Sequence, residues 1–306
     1  MKIAAISLIF GAFISCSSSD PDGRDPKEAV SAFINNNDVI VGFGNVSLKG
    51  VLTKADYKNV PMIGKLMGTE MATLERLIDI ESPIFYALEG PFDNDGSPKV
   101  SYVFIRVKSA DSLVAELTSR GFDVDDKGGI RITQDGDFAI GIKNNLAIAL
   151  TMKGDFDAEK MIKEAFKKTE GETSGGHIDQ ILNESGDVVL GMSITSLYNT
   201  SDTDLTNLSK DKQKAIKDLI ANSYVQTVIK FEEGAAIIET KNFFSPQLKK
   251  HMFFISDESA PVLAKLGTGN PRIGLAVNIN VKKMQGFMDE YSPDTMKELI
   301  GAMGGP

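Results

Sequence analysis

Residues 130–152 read Ile130-Arg131-Ile132-Thr133-Gln134-Asp135-Gly136-Asp137-Phe138-Ala139-Ile140-Gly141-Ile142-Lys143-Asn144-Asn145-Leu146-Ala147-Ile148-Ala149-Leu150-Thr151-Met152. Apolar runs at Phe138–Ile142 and Leu146–Met152 follow an earlier one, supplied by either Phe122–Val124 or Ile130–Thr133. Lys127-Gly128-Gly129, Asp135-Gly136 and Asn144-Asn145 separate them. Gly, Asn and Asp tolerate the positive φ that tight hairpin turns demand, so the runs are predicted to fold back as an antiparallel meander.

Helical spacing appears on both sides of this meander. Upstream, Ser109 to Arg120 turns Leu113, Val114 and Leu117 to one side, with Gly121 as the C-terminal cap. Downstream, Asp157 to Lys168 aligns Met161, Ile162, Ala165 and Phe166, and its Glu159–Lys163 and Glu164–Lys168 pairs have the favourable order on a helix surface. Further out, strands are expected at 39–46, 83–88, 102–107, 188–194, 225–231, 235–241 and 273–279. Helices are expected over 62–80, broken near Gly68-Thr69, over 209–222, and from the last strand to about Met303. Residues 169–176 have linker composition, and a polar loop is expected from Tyr198 to Asn207. The fold class is therefore α+β: mainly antiparallel sheets with helices on one face.

Three segments share one form: Val39 to Leu48, Val188 to Leu197 and Arg272 to Val281. Each is an apolar strand containing a glycine and ending in a polar–apolar step. Their unequal spacing rules out a fixed-period solenoid. The expected organisation is a strand–helix–strands unit used repeatedly, with a first α+β unit over 31–172 and a second over 173–306. The last segment lacks a following hairpin, which fits either completion of an earlier sheet or truncation at the C-terminus.

The extreme N-terminus has a different character. Lys2 is followed by an almost wholly apolar run from Ile3 to Ile14, then Ser15-Cys16-Ser17. That run is too short for a membrane span, which needs about 20 apolar residues, and has the composition of a secretory signal peptide. Phe13-Ile14-Ser15-Cys16 resembles a bacterial lipobox, with Phe13 where Leu is usual. The reading is a signal peptide over 1–15, cleaved between Ser15 and Cys16, and lipidation of Cys16. The resemblance implies a thioether-linked diacylglycerol and an amide-linked acyl chain on that cysteine. Each buried CH₂ of such chains contributes about 0.8 kcal/mol, so several chains together hold a protein firmly. The lack of Asp after Cys16, where Ser17 stands, resembles outer-membrane sorting. Residues 16–30, rich in Ser, Asp, Pro and Gly, are expected to be a flexible tether.

Composition narrows the function classes. The 306 residues carry 42 acidic and 33 basic side chains, a net charge of −9, and loss of Lys2 with the signal would make it more negative still. Nucleic-acid binding depends on Lys and Arg displacing counterions, so that class is excluded, as is docking on anionic lipid by charge. Cys16 is the only cysteine, so no disulfide within the chain can form. The chain has no Trp and only two His, thin equipment for catalysis.

Candidate chemistry is correspondingly sparse. His177 and His251 lie far apart in the chain, and a zinc site needs at least three protein ligands. Asp93-Asn94-Asp95-Gly96-Ser97 only superficially resembles a calcium loop, since its glycine comes too early and Phe104 stands where the bidentate Glu belongs. A tight Asp-Gly turn is the better account. Asp123, Asp125 and Asp126, with Asp135 and Asp137 nearby, make an acidic rim, which weak divalent binding or paired-carboxylate chemistry could use. Gly267-Thr268-Gly269-Asn270 precedes a strand, the wrong order for a phosphate-cradling loop. Phe243-Phe244 and Phe253-Phe254 are either core residues or an aromatic patch.

The lipobox, the acidic α+β body and the recurring strand units resemble the Bacteroidetes-type envelope lipoprotein family called domain of unknown function 4836. That likeness implies an envelope lipoprotein, and no catalytic residue follows from it. The function expected from the sequence is a non-enzymatic, outer-membrane-anchored lipoprotein with a binding or scaffolding role and no cofactor. Its partners would be the membrane, through lipid on Cys16, and another envelope protein. Two alternatives stand beside it: an envelope hydrolase using carboxylates such as Asp123, Asp125 and Asp137, and a binder of a small apolar ligand.

Overall fold

The computed structural model describes residues 24–55, 71–93, 95–200, 209–232, 235–251 and 280–291. The expected meander is present as β5 (Arg131–Asp135), β6 (Phe138–Lys143) and β7 (Leu146–Met152). Asn144 adopts φ 53° and Gly136 φ 56°, the left-handed values their turns require. Phe122–Val124 is not a strand; a short β4 forms instead at Asp125–Asp126.

The remaining strands are β1 (Ile40–Val46), β2 (Ile84–Phe92), β3 (Pro98–Arg106), β8 (Val188–Ser193), β9 (Tyr224–Glu232) and β10 (Ala235–Phe243). They join the meander in one ten-stranded sheet of order β10-β9-β8-β1-β2-β3-β7-β6-β5-β4. Every neighbouring pair is antiparallel. The α+β class is thus shown.

Helices cover both faces of this sheet, not one as expected. Three of them, α1 (Pro26–Asn35), α5 (Ala158–Thr169) and α6 (Gly176–Leu182), bury Phe33, Ile162, Phe166 and Ile181 in a cluster with Phe43, Phe104, Ile148 and Leu150. On the other face α3 (residues 71–77) and α4 (Ala110–Ser119) bury Leu74, Leu77, Leu113 and Leu117 with Ile140, Ala147 and Ala149. β7 serves both clusters because strand side chains alternate: Leu146, Ile148 and Leu150 point one way, Ala147 and Ala149 the other. The continuous apolar run of β7 is the mark of a strand covered on both faces.

Local chemistry sets the helix starts. Ser109 Oγ accepts from Ser112 N at 3.2 Å, and Asp157 Oδ1 from Lys160 N at 2.9 Å. Asp25 caps α1 in the same way, with Pro26 at its first turn. The expected tether over 16–30 therefore ends earlier, since Ala29 and Val30 are fully buried in α1. Gly141 explains how α5 lies so close to the sheet: a Cβ there would sit 2.2 Å from Ile162 Cγ2. The expected loop at Tyr198 is also revised. Residues Ile194–Thr200 form helix α7, whose first turn is tied by Ser196 N donating to Ser193 Oγ at 3.1 Å.

The chain divides elsewhere than at the expected 172/173 boundary. β1 is hydrogen-bonded to both β2 and β8, so residues on either side of that point share one sheet. Of the described residues, the unit holding the sheet comprises 24–200 and Tyr224–Phe243. The other comprises 209–223, 244–251 and 280–291, with helices α8 (Lys210–Ile220), α9 (Pro246–His251) and α10 (Val281–Tyr291). Within it, buried Ser245 donates to Leu219 O at 2.6 Å and accepts from Leu248 N at 2.9 Å, linking the end of α8 to the start of α9. The strand expected at 273–279 and the break at Gly68-Thr69 lie outside the described residues.

Candidate functional site: an apolar cavity on the second sheet face

On the face carrying α3 and α4, the sheet registers set side chains in rows. One row crosses five strands as Gly44, Tyr86, Val103, Ala149 and Ile140, and the next as Gly42, Leu88, Ser101, Thr151 and Phe138. Ile105 and Ala147, paired across β3 and β7, begin a third row on the other side. Above this floor lies a cavity of about 280 Å³. Its walls include Leu48 from helix α2 (Leu48–Lys54), Leu74 from α3, Leu113 from α4, and Ile78 and Val107. Small-molecule sites typically occupy about 300–1,000 Å³ and are mostly apolar, so the cavity stands at the lower edge of that range.

The small side chains of Ala147 and Ala149 create much of this space. On the opposite face of β7 the matching positions are Ile148 and Leu150, which are filled and fully buried. Five adjacent strands at about 4.8 Å spacing give the floor a width of roughly 19 Å.

Its polar atoms are few. The Tyr86 hydroxyl donates to Val189 O at 2.8 Å, and burial pushes the phenol above its usual range, so it stays protonated. Ser101 and Thr151 face one another across β3 and β7. Such a lining cannot satisfy a buried charge, and it suits hydrocarbon.

A second hollow, about 250 Å³, lies near the start of α4 and is lined by Lys108, Ser109, Asp111, Asp126, Arg131 and Asn145 among others. Arg131 pairs with Asp111 at 2.5 Å, so the hollow largely neutralises its own charge.

The residues singled out from the sequence fall elsewhere. Ser15 and Cys16 lie outside the described residues, as do Asn94, Phe253-Phe254 and Gly267–Asn270. Asp93 Oδ1 accepts from Asp95 N at 3.1 Å and Ser97 N at 2.8 Å, and Gly96 has φ 73°, the geometry of a tight turn. Its carboxylate also pairs with Lys153, which holds its pKa below the usual range. Asp123, Asp125, Asp126, Asp135 and Asp137 are all exposed. Asp125 stands opposite Ile132, whereas Asp137 sits at the β5–β6 turn, so the register sets these two apart. Among the described residues no group of three or more His, Cys, Asp or Glu is placed to hold a metal ion.

His177 lies on α6 with its ring 4.9 Å from that of Phe243, which packs against the first core cluster. Phe244 is half-buried, and His251 ends α9. The cavity itself was not anticipated as a place. Its signal was nevertheless present in Leu146-Ala147-Ile148-Ala149-Leu150, where large and small residues alternate with the strand period.

Among solved structures, crystal form III of TP0453 is similar to this chain with a TM-score of 0.45 and 8% identity, covering 84% of this chain and 93% of that one. Crystal form I of TP0453 gives 0.45 and 8%, covering 89% and 99%. Crystal form IV gives 0.40 and 10%, covering 74% and 81%. No family model matches the chain, and no match was found among curated proteins.

Proposed function

We propose that this protein is a non-enzymatic lipoprotein, anchored at the outer membrane through Cys16, whose folded body binds a small apolar molecule on the second face of its sheet. The cavity over Tyr86, Val103, Ala147 and Ala149 carries this reading. Envelope placement is supported by the lipobox-like Phe13-Ile14-Ser15-Cys16.

The test is titration with N-phenyl-1-naphthylamine, an uncharged apolar fluorophore whose emission rises on leaving water. Saturable binding is expected for the native protein, and loss of it in Ala149→Phe, whose ring fills the site. A native protein that does not bind the dye, or a variant that binds it equally well, overturns the reading.

A second reading, presentation of a strand edge to another envelope protein, is favoured by β10. Ile238 there is 66% exposed, and β10 ends the sheet among the described strands. Unpaired edges are sites where another chain adds a strand. The repeated-unit organisation belongs here too. It is supported by β1 and β8, each of which passes through a serine into a short helix, α2 and α7, with Ser47 and Ser193 capping the first turns.

A further inference from the structure

We propose that β10 docks a second copy of this chain, paired antiparallel about a two-fold axis at Thr240, so that Glu239 of each copy faces Lys241 of the other. This rests on the reading of β10 as an available edge, and it names the partner. The cavity plays no part in it.

Backbone direction decides which residues of β10 can pair outward. Ile229 O accepts from Asp187 N at 2.9 Å, and Phe231 N donates to the Asp187 carboxylate at 2.6 Å, so both turn their backbone groups toward β8. That direction alternates along a strand, so Val228 and Lys230 turn toward β10, where they face Glu239 and Ile237. Ala236, Ile238, Thr240 and Asn242 therefore aim their N–H and C=O groups away from β9. The Thr227 and Thr240 hydroxyls, 3.5 Å apart, agree with this, because side chains come closest at pairs that exchange no backbone hydrogen bond. β10 ends the sheet among the described strands, and Ala235 to Asn242 are exposed. Such a row of outward groups is a template for another strand.

Charge selects the partner and the register. When two identical strands pair antiparallel, outward residues must meet outward residues, which centres the two-fold on a residue. The registers that keep most of β10 paired centre on Ile238, Glu239 or Thr240. Centring on Glu239 sets two carboxylates opposite each other, and centring on Ile238 sets Ile237 against Glu239. Centring on Thr240 sets Glu239 against Lys241 and Ile237 against Phe243, each twice. Opposite charges directly across a strand pair stabilise it and like charges destabilise it. A lone lysine on an edge repels a second copy; a glutamate two residues before the lysine does the reverse.

Both charges have room for this contact. Within the chain Glu239 meets Lys230 at 2.9 Å and Lys241 meets Glu184 at 2.8 Å. These partners lie on the sheet side of β10: Lys230 is on β9, and Glu184 follows α6, which packs on β8 and β1. The Glu239 and Lys241 side chains remain 50% and 53% exposed. A carboxylate accepts several hydrogen bonds and an ammonium donates three, so the second copy adds a contact to each without displacing one.

The test is light scattering with absorbance and refractive-index detection on the detergent-solubilised protein, which yields protein mass free of bound detergent. Reductant is present, so that Cys16 cannot bridge two copies. An interface confined to one strand pair is small, so the native protein is expected to pass from monomer to dimer as concentration rises. Thr240→Pro removes an outward N–H without touching the β9 ladder and should stay monomeric with native circular dichroism. Glu239→Lys and Lys241→Glu should each weaken dimerisation about tenfold, since either sets like charges opposite twice. A mixture of these two variants should regain native affinity, because each supplies the charge that the other lacks. A native dimer indifferent to Thr240→Pro, or a mixture no tighter than its components, overturns the proposal. A native protein that is monomeric throughout also overturns it, and amide hydrogen exchange then decides on the edge itself. Fast exchange at Ile238, Thr240 and Asn242 leaves the edge reading standing, whereas slow exchange there in a monomer overturns that reading too.

Discussion

The Tyr86 hydroxyl reaches over Gly44 to donate to the Val189 carbonyl at 2.8 Å, spanning the strand that separates them. β1 lies between β2 and β8, and Gly44 supplies the gap. A Cβ at Gly44 would stand 1.8 Å from Val189 O and 2.8 Å from the Tyr86 hydroxyl. Loss of the hydroxyl in Tyr86→Phe should cost about 1 kcal/mol, the net worth of one hydrogen bond. Gly44→Ala meets backbone as well as side chain and should cost about 3 kcal/mol or more. Urea midpoints of the two variants check the ranking, and a smaller loss in Gly44→Ala than in Tyr86→Phe would contradict it.

Asp187 is a nearly buried carboxylate that ties three segments together. Lys54 Nζ lies 2.7 Å away and Phe231 N donates at 2.6 Å. Burial acts to raise its pKa, but the Lys54 and Phe231 hydrogen bonds outweigh it, and the net shift is downward. A depressed folded-state pKa means that the contribution is present above the unfolded value, about 3.9, and is lost as pH falls through the folded one. The native protein should therefore lose stability on acidification in part through this group. Asp187→Asn should be destabilised by about 2 kcal/mol near neutrality and show a shallower acid decline. Parallel pH profiles for the two proteins would exclude Asp187 as a contributor.

How much could be read from the chain depended on whether a signal was local. The β5–β7 meander was legible because Asp135-Gly136 and Asn144-Asn145 are turn dipeptides between apolar runs. Helix α1 was hidden inside an apparently polar stretch. Its start depends on the Asp25 cap and Pro26, and only packing reveals that Ala29 and Val30 are core. The second helical layer was missed because the apolar run Leu146–Leu150 of β7 marks burial without saying what lies above. The single sheet was missed because the β1–β8 pairing joins residues nearly 150 positions apart. The cavity required knowing that Val103, Ala149 and Tyr86 share a face, which is a matter of register rather than composition.

Membrane attachment, as proposed here, rests on one side chain. If Cys16 is acylated, most of the anchoring energy is hydrocarbon, at about 0.8 kcal/mol per buried CH₂, with a net charge of −9 giving no help from anionic lipid. Cys16→Ala should then move the protein from the detergent phase to the aqueous phase in a Triton X-114 partition. It should also abolish incorporation of radiolabelled palmitate. High salt should release neither form differently, since charge is not the attachment. The soluble variant should bind N-phenyl-1-naphthylamine as the native protein does, because the anchor and the cavity are separate parts of the chain. Retention of Cys16→Ala in the detergent phase would mean that something other than an acyl chain holds the protein, and would remove the lipoprotein reading.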